Sequence, residues 1–379
     1  MRKLTWIRIR SVPVLVFDSL GVDYLKESIP SGVGYVVLTF RDQFPIAVSP
    51  VLLWLWMRAV IRLGVGFRQA YMIAMVDSHR PKVILSFADG SEFLGLYQNY
   101  RDEVLVISIQ NAVRHPHEFR RLRRAPNYFA LGKDALRSFH QYQIPYKRCV
   151  SSGSLPLGIF CSKNPIIKDA GKLVFVSSYR LSFDHQERER EREENMYTKA
   201  QATVHSLIFR HALRYAVDSE MELVVLAKGK VRFEGEHFHE EREYFNQLSG
   251  GKSFTLSSTV KDTLGSYRQA LTAEFIIGLD STLLYEVFSV GAKVLFCWGA
   301  DEYLLNRAQS LTEHLPTQVL LEDNDYDAFA DKVDFLRNLS EKSYRSMIAQ
   351  AQSEYVDTKQ DRPLHETLKQ EIQDHLDLA

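Results

Sequence analysis

Short runs of β-branched and aromatic residues recur along this chain, separated by segments long enough to be helices, and this alternation constrains the fold more than any other feature. Parallel strands need a crossover of a dozen or more residues, and a covering helix is the usual crossover. The first series of runs is Val12–Phe17, Tyr35–Phe40, Lys82–Phe87, Val104–Ile109 and Tyr128–Leu131. Between them the pattern predicts one long helix over Pro50–Ser78 and shorter ones over Glu92–Tyr100 and Asp134–Tyr142. The stretch Ser151–Ala170 (SSGSLPLGIFCSKNPIIKDA) holds turn formers without periodicity and reads as a linker. The alternation then restarts with Lys172–Ser177, Glu222–Ala227, Glu274–Gly278, Lys293–Cys297 and Gln318–Leu321, separated by helices around Met196–Val217, Lys261–Ala270 and Thr282–Val290. The expectation is an α/β chain of two Rossmann-like lobes facing a central cleft, one over residues 1–160 and one over 171–340. Residues 341–379 form C-terminal helices, broken at Pro363.

The 379 residues suffice for two such lobes, and 45% apolar with 25% charged residues excludes a disordered or multi-span membrane chain. Net charge is zero, but its distribution is not even. Residues 1–170 carry 23 basic against 12 acidic residues, and the remainder 24 against 35. A basic first lobe suits an anionic partner; two surfaces of opposite sign that attract each other explain the split equally well. Three cysteines, Cys149, Cys161 and Cys297, form neither a disulfide framework nor a zinc cage, and fit a reducing cytoplasm. The greasiest region, Val51–Gly66, is broken by Arg58 and Arg62 and falls short of the roughly 20 apolar residues that span a bilayer. Its Trp54 and Trp56, with those arginines, suit either core packing or an interfacial anchor on an anionic membrane.

Ligands of open α/β sheets bind beyond the carboxyl ends of strands, so the residues after each run are where chemistry is expected. After Glu274–Gly278 come Asp280, Ser281 and Thr282 at the start of a helix, with Glu286 one turn further. Unpaired N–H groups and small hydroxyls there suit a phosphate, and Glu286 a ribose or sugar hydroxyl; plain helix capping explains Asp-Ser-Thr as well. After Val104–Ile109 come Gln110, Asn111, Arg114 and His115, types that suit sugar or phosphate recognition, followed by Arg120-Arg121 and Arg123-Arg124. Ser177, Ser178 and Arg180 end another strand, Lys228 and Lys230 a third, and Asp89 follows Lys82–Phe87. Each of these also has an ordinary reading as turn or surface chemistry.

Several signatures are missing: GxxxxGK[ST], a complete GxGxxG, HExxH and GxSxG. His115-Pro116-His117 lacks further zinc-spaced ligands, and Asp323-Asn324-Asp325 stands where turn and cap residues are expected, so no metal site is assigned. The run Glu187–Glu194 (EREREREE) pairs opposite charges at helical spacing and carries no chemistry. Aromatics are not interleaved with the arginine cluster, so nucleic acid is not the expected partner.

The ordered elements PKVILSFADG, ISIQNAVR, YFALGKDALRSF, SSGSLPLGIF, KLVFVSSYR and IIGLDSTLLYEVFSVGAKVLF resemble bacterial surface-carbohydrate biosynthesis proteins of the leptospiral O-antigen type. The resemblance covers about Pro81–Phe296. Such relatives show QNG where this chain has Gln110-Asn111-Ala112, and alanine tolerates positive φ poorly. The resemblance implies a glycosyltransferase of the GT-B type, with an N-terminal acceptor lobe and a C-terminal nucleotide-sugar lobe. It implies donor phosphates at Ser281 and Thr282, Glu286 on a hydroxyl, and Arg180 or Lys228 neutralising the leaving nucleotide without a metal. It leaves Asp89 or His115 as acceptor base, and requires no cofactor beyond the nucleotide-sugar substrate. It implies as acceptor a surface glycan or a lipid-linked one, reached from the cytoplasmic face of the inner membrane. Nucleotide-sugar epimerases share the fold and need no acceptor, and a non-catalytic partner in polysaccharide assembly is the alternative from another class.

Overall fold

The computed structural model describes residues 4–6, 10–39, 46–120, 122–179, 192–228, 236–258 and 264–378. Arg121, Arg180, Lys230 and the start of the Glu187–Glu194 run lie outside them. The chain divides into two compact units, Met1–Ile159 with Lys359–Ala379, and Phe160–Thr358.

The first unit contains β1 (Leu4–Trp6), β2 (Val14–Phe17), β3 (Tyr35–Leu38), β4 (Ile46–Val48), β5 (Val83–Ser86), β6 (Leu105–Ile109), β7 (Ala125–Ala130) and β8 (Tyr146–Ser151). β1 pairs with β4, and the other six form one sheet in the order β3-β2-β5-β6-β7-β8, every pairing parallel. β2, β5 and β7 are buried along their whole length, as strands covered by helices on both faces must be. The order of strands reverses between β2 and β5, so this unit's crevice opens beyond those two carboxyl ends.

The second unit contains β9 (Asp169–Val176), β10 (Glu222–Leu226), β11 (Thr255–Ser257), β12 (Ala273–Gly278), β13 (Val294–Cys297) and β14 (Leu320–Leu321). Their order is β11-β10-β9-β12-β13-β14, again parallel throughout. Renumbered within the unit this is 3-2-1-4-5-6, the dinucleotide-binding order, with the reversal between β9 and β12. A helix over Arg192–Asp218 crosses one face and packs Val204, Ile208, Phe209 and Ala212 into the core.

Several expectations shift in detail. The long helix over 50–78 is two, Pro50–Leu63 and Phe67–His79, because Gly64 ends the first in a left-handed cap with φ of 59°. The linker stretch holds the end of β8, a helix over Leu155–Lys163 and the start of β9. The tail from 341 is not one module. Glu341–Tyr355 belongs to the second unit, where Tyr344 donates to Ala292 O at 2.8 Å and Tyr355 meets Tyr285 at 4.9 Å. Leu364–Leu378 belongs to the first, where it buries Leu364, Leu368 and Ile372 at four-residue spacing and Glu371 pairs with Arg148 at 2.8 Å.

Candidate functional site

In the second unit the residues after β9 and after β12 meet, because those strands are neighbours across the reversal. Ser178 Oγ donates to Asp280 Oδ1 at 3.0 Å. Two further donors reach the other carboxylate oxygen, Tyr197 Oη and Gln201 Nε2, each at 2.9 Å. Ser177 Oγ donates to the buried Glu241 at 2.5 Å, and Glu241 also accepts the Lys228 N–H at 3.1 Å. The strand-end turn is thus fastened to two carboxylates, one on either side of β9.

His205 fastens the same turn through its backbone. It is fully buried, its Nε2 accepts the Ser178 N–H at 3.1 Å, and its Nδ1 faces Tyr244 Oη at 3.1 Å. Accepting at Nε2 places the remaining ring proton on Nδ1, as donor to the tyrosine. Burial pushes the imidazole down to about 3, against a smaller opposite pull from Asp280, so His205 is neutral at neutral pH.

The helix Thr282–Ser289 begins where β12 ends. Ser281 is its N-cap residue, is partly exposed, and makes no side-chain cap bond. Helices over Pro50–Leu63, Glu302–Thr312, Tyr326–Asn338 and Glu341–Tyr355, by contrast, are closed by Ser49, Asp301, Asp325 and Ser340. Capping therefore does not account for Asp280 and Ser281, since Asp280 is held by three side chains elsewhere. Glu286 is buried and its Oε2 accepts from Tyr267 Oη at 2.8 Å.

The first unit brings together a different set. Asp89, in the loop after β5, is buried and accepts from Arg114 Nε at 2.9 Å, Arg114 Nη2 at 2.5 Å and Tyr128 Oη at 2.8 Å. Burial pushes the Tyr128 phenol well up and the Asp89 charge adds to this, so it remains a donor. Burial opposes the Arg114 charge, but the hydrogen bonds it donates to Asp89, together with that carboxylate's charge, outweigh it and hold the guanidinium above its ordinary value. Asn111 accepts from Arg114 Nη2 at 3.1 Å and donates to Phe87 O at 2.7 Å, while Gln110 donates to Ala112 O and accepts the Leu131 N–H. Three donors thus already bind the Asp89 carboxylate, two of them on Oδ2 and one on Oδ1. His115 precedes a short helix, its N–H bonded to Glu118 at 2.9 Å and its ring stacked on His117 at 5.4 Å.

Sequence reasoning missed Tyr197, Gln201, His205, Glu241, Tyr128 and Tyr267. Tyr197, Gln201 and His205 stand four residues apart, so one face of a helix carries three polar groups toward a strand end, and that spacing was available in the sequence. Asp18, directly after β2 at the first unit's reversal, was missed too. It is buried with φ of 78°, a left-handed conformation that costs a non-glycine residue energy and tends to mark ligand sites. Among the described residues no three His, Cys, Asp or Glu side chains are placed to hold a metal ion. Asp323 and Asp325 serve as turn and cap acceptors.

A family model described as "putative O-antigen biosynthesis protein" matches residues 117–355. The chain belongs to this leptospiral O-antigen biosynthesis family. The resemblance carried by the sequence motifs is therefore upheld, and the match takes in the second-unit cluster but begins after Asp89, Gln110–Arg114 and His115. No functionally curated protein matches the chain. Among solved structures it is similar to Staphylococcus aureus MnaA with UDP, at 13% identity and TM-score 0.54, covering 96% of this chain and 95% of that one. It is similar to UDP-GlcNAc 2-epimerase from Neisseria meningitidis bound to UDP-GlcNAc, at 12% identity and TM-score 0.53, over 97% and 99%. It is also similar to the wall teichoic acid polymerase TagF, at 9% identity and TM-score 0.52, over 97% and 90%. At such identities these likenesses establish the fold, two Rossmann-like α/β units of the GT-B type.

Proposed function

We propose that this O-antigen family member is a glycosyltransferase that moves a sugar from a nucleotide-sugar donor to a surface polysaccharide or lipid-linked glycan, without a metal. The observation that carries the reading is the uncapped helix start at Ser281, beside the Ser178–Asp280 contact, at the strand-order reversal of a dinucleotide-type sheet. The first-turn N–H groups of Thr282–Ser289 and the Ser281 hydroxyl take the donor phosphates, and Glu286, steadied by Tyr267, takes a ribose or sugar hydroxyl. The leaving nucleotide gains negative charge as the glycosidic bond breaks, which the positive end of a helix and a nearby cation stabilise. Lys228, exposed just beyond β10, takes that role, with Arg180 the other candidate. Ser177 and Ser178 give their hydroxyl hydrogens to carboxylates, so they shape the turn rather than donate to phosphate. Asp89 or His115 activates the acceptor, and Gln110, Asn111 and Arg114 border it.

Two of the similar structures hold UDP or UDP-GlcNAc, which supports a nucleotide-sugar and favours a second reading, a nucleotide-sugar epimerase. Thermal shift against UDP, GDP, CDP, CMP and dTDP, with and without EDTA, tests the shared part. A ligand at 100 times its Kd adds about 2.7 kcal/mol of stability. A shift that survives EDTA and disappears in Ser281→Ala or Glu286→Ala supports the site; no shift with any nucleotide refutes it. Incubation with the donor alone separates the two enzymes, since only an epimerase alters the free sugar nucleotide.

A further inference from the structure

The helix Pro50–Leu63 is apolar on both of its sides. Inward, Leu52 and Ala59 are buried in the first unit's core, and Leu55, Trp56 and Val60 pack against it. Trp56 is fixed there: its indole N–H donates to Phe67 O at 3.0 Å, and its ring meets the Tyr71 ring edge-on at 5.6 Å. Outward, Val51, Leu53, Trp54, Met57 and Ile61 are 57%, 45%, 59%, 58% and 76% exposed, and Phe67, opening the next helix, is 70% exposed. Steps of three and four residues place the outward set on one stripe, where a surface helix ordinarily carries charges. The two tryptophans of this helix thus have opposite fates.

Along the chain, the charges that accompany the stripe have one sign. Residues 46–76 contain Arg58, Arg62 and Arg68 and no Asp or Glu. Arg62 and Arg68 are exposed, and the Arg58 guanidinium lies over the Trp54 ring at 5.3 Å. None of the three forms an ion pair among the described residues. Within those residues no helix is long and apolar enough to cross a membrane.

We infer that this face docks on an anionic lipid surface, with Trp54, Met57 and Ile61 entering the boundary between headgroups and acyl chains and the arginines meeting lipid phosphates. An apolar stripe alone would fit a protein groove as well. Cations without a balancing carboxylate select a negative surface, and an amphipathic indole beside an arginine suits the depth of the headgroups. The 14-residue helix, about 21 Å long at 1.5 Å per residue, lies in the plane of the surface rather than across it. The inference stands apart from the nucleotide reading, because docking needs no nucleotide.

Flotation of the full chain, without nucleotide, on phosphatidylcholine vesicles and on equimolar phosphatidylcholine–phosphatidylglycerol vesicles tests it. The expected result is binding to the mixed vesicles that weakens with salt and falls at least about tenfold in Met57→Glu/Ile61→Glu. Each arginine near an anionic surface contributes about fivefold, so Arg62→Glu/Arg68→Glu loses about 25-fold or more. All four side chains are exposed, and an unchanged far-UV circular dichroism spectrum and unfolding midpoint confirm that the variants fold. No binding to mixed vesicles at low salt, or equal binding by wild type and Met57→Glu/Ile61→Glu, overturns the inference. Self-association in sedimentation velocity that the same double variant abolishes, with vesicles left unbound, also overturns it and assigns the face to a second copy of the chain.

Discussion

Replacing His205 by glutamine should flatten the acid limb of the second unit's stability. His205 is fully buried, and its imidazole sits at about 3 where an unfolded histidine sits at 6.5. Below pH 6.5 the unfolded chain takes up a proton that the folded chain refuses, so the unfolded state binds more protons and stability rises with pH. It follows that stability falls as pH drops, by about 1.4 kcal/mol per unit between about 6.5 and 3. From pH 7 to pH 5 this one group removes about 2 kcal/mol. The geometry gives the same sign, since a proton on Nε2 would face the Ser178 N–H that now donates to it. Glutamine can accept from that N–H and donate to Tyr244 without titrating. The assay is urea unfolding at pH 7, 6 and 5, read through labelling of Cys297, which is buried in β13 and so reports on this unit. The wild-type midpoint should fall toward that of His205→Gln, or below it, by the equivalent of about 2 kcal/mol. Parallel curves for the two proteins would refute the reasoning, because they would mean that the folded imidazole titrates as freely as the unfolded one.

Arg114→Met leaves Asp89 buried with Tyr128 as its remaining side-chain donor, and should cost about 3–5 kcal/mol of first-unit stability by denaturant unfolding. Asp89→Leu/Arg114→Met should lose less than the two single variants added together, and strict additivity would count against a coupled pair. Tyr197→Phe takes one donor from Asp280 and should cost about 2 kcal/mol in second-unit unfolding, while His205→Phe/Tyr197→Phe should exceed the sum if the turn between them is shared. Gly95→Ala would drive a Cβ into the Arg124 carbonyl oxygen, so the helix Glu92–Tyr100 must shift, at about 1–3 kcal/mol. A Gly95→Ala protein with an unchanged midpoint would show that the helix is free to move.

Much of the sheet was legible because its strands are buried on both faces. Val83–Ser86, Leu105–Ile109 and Ala273–Gly278 read as short apolar runs whatever surrounds them. Strands without an apolar run were not. β8 (YKRCVS) has three exposed positions and β11 (TLS) none that is fully buried, so neither has an apolar run to announce it. The helices Glu236–Ser249 and Glu302–Thr312 were missed in the same way, their sequences being largely polar with few buried positions.

For the site, the positions after strands were chosen correctly as places to look, but the partners were not visible. Ser177, Ser178 and Asp280 were named for a phosphate. Glu241, His205 and Tyr197, which hold them, come from helices 27 to 83 residues away in the chain. Asp89 and Arg114 were likewise named singly, for different roles, and the fold joins them with Tyr128.

By itself the sequence determined the α/β class, the two parallel-sheet units, the family, and the strand ends at which small, hydroxyl and charged residues gather. These follow from local hydrophobic periodicity and ordered motifs, which act over a few residues. Tertiary structure decided the order of the strands, and with it that β9 and β12 lie side by side so that Ser178 reaches Asp280. It also decided that Trp56 faces the core while Trp54 faces out, and that the last helix returns to the first unit. Those outcomes depend on which buried surfaces find one another across the whole chain, and no window of sequence contains both partners.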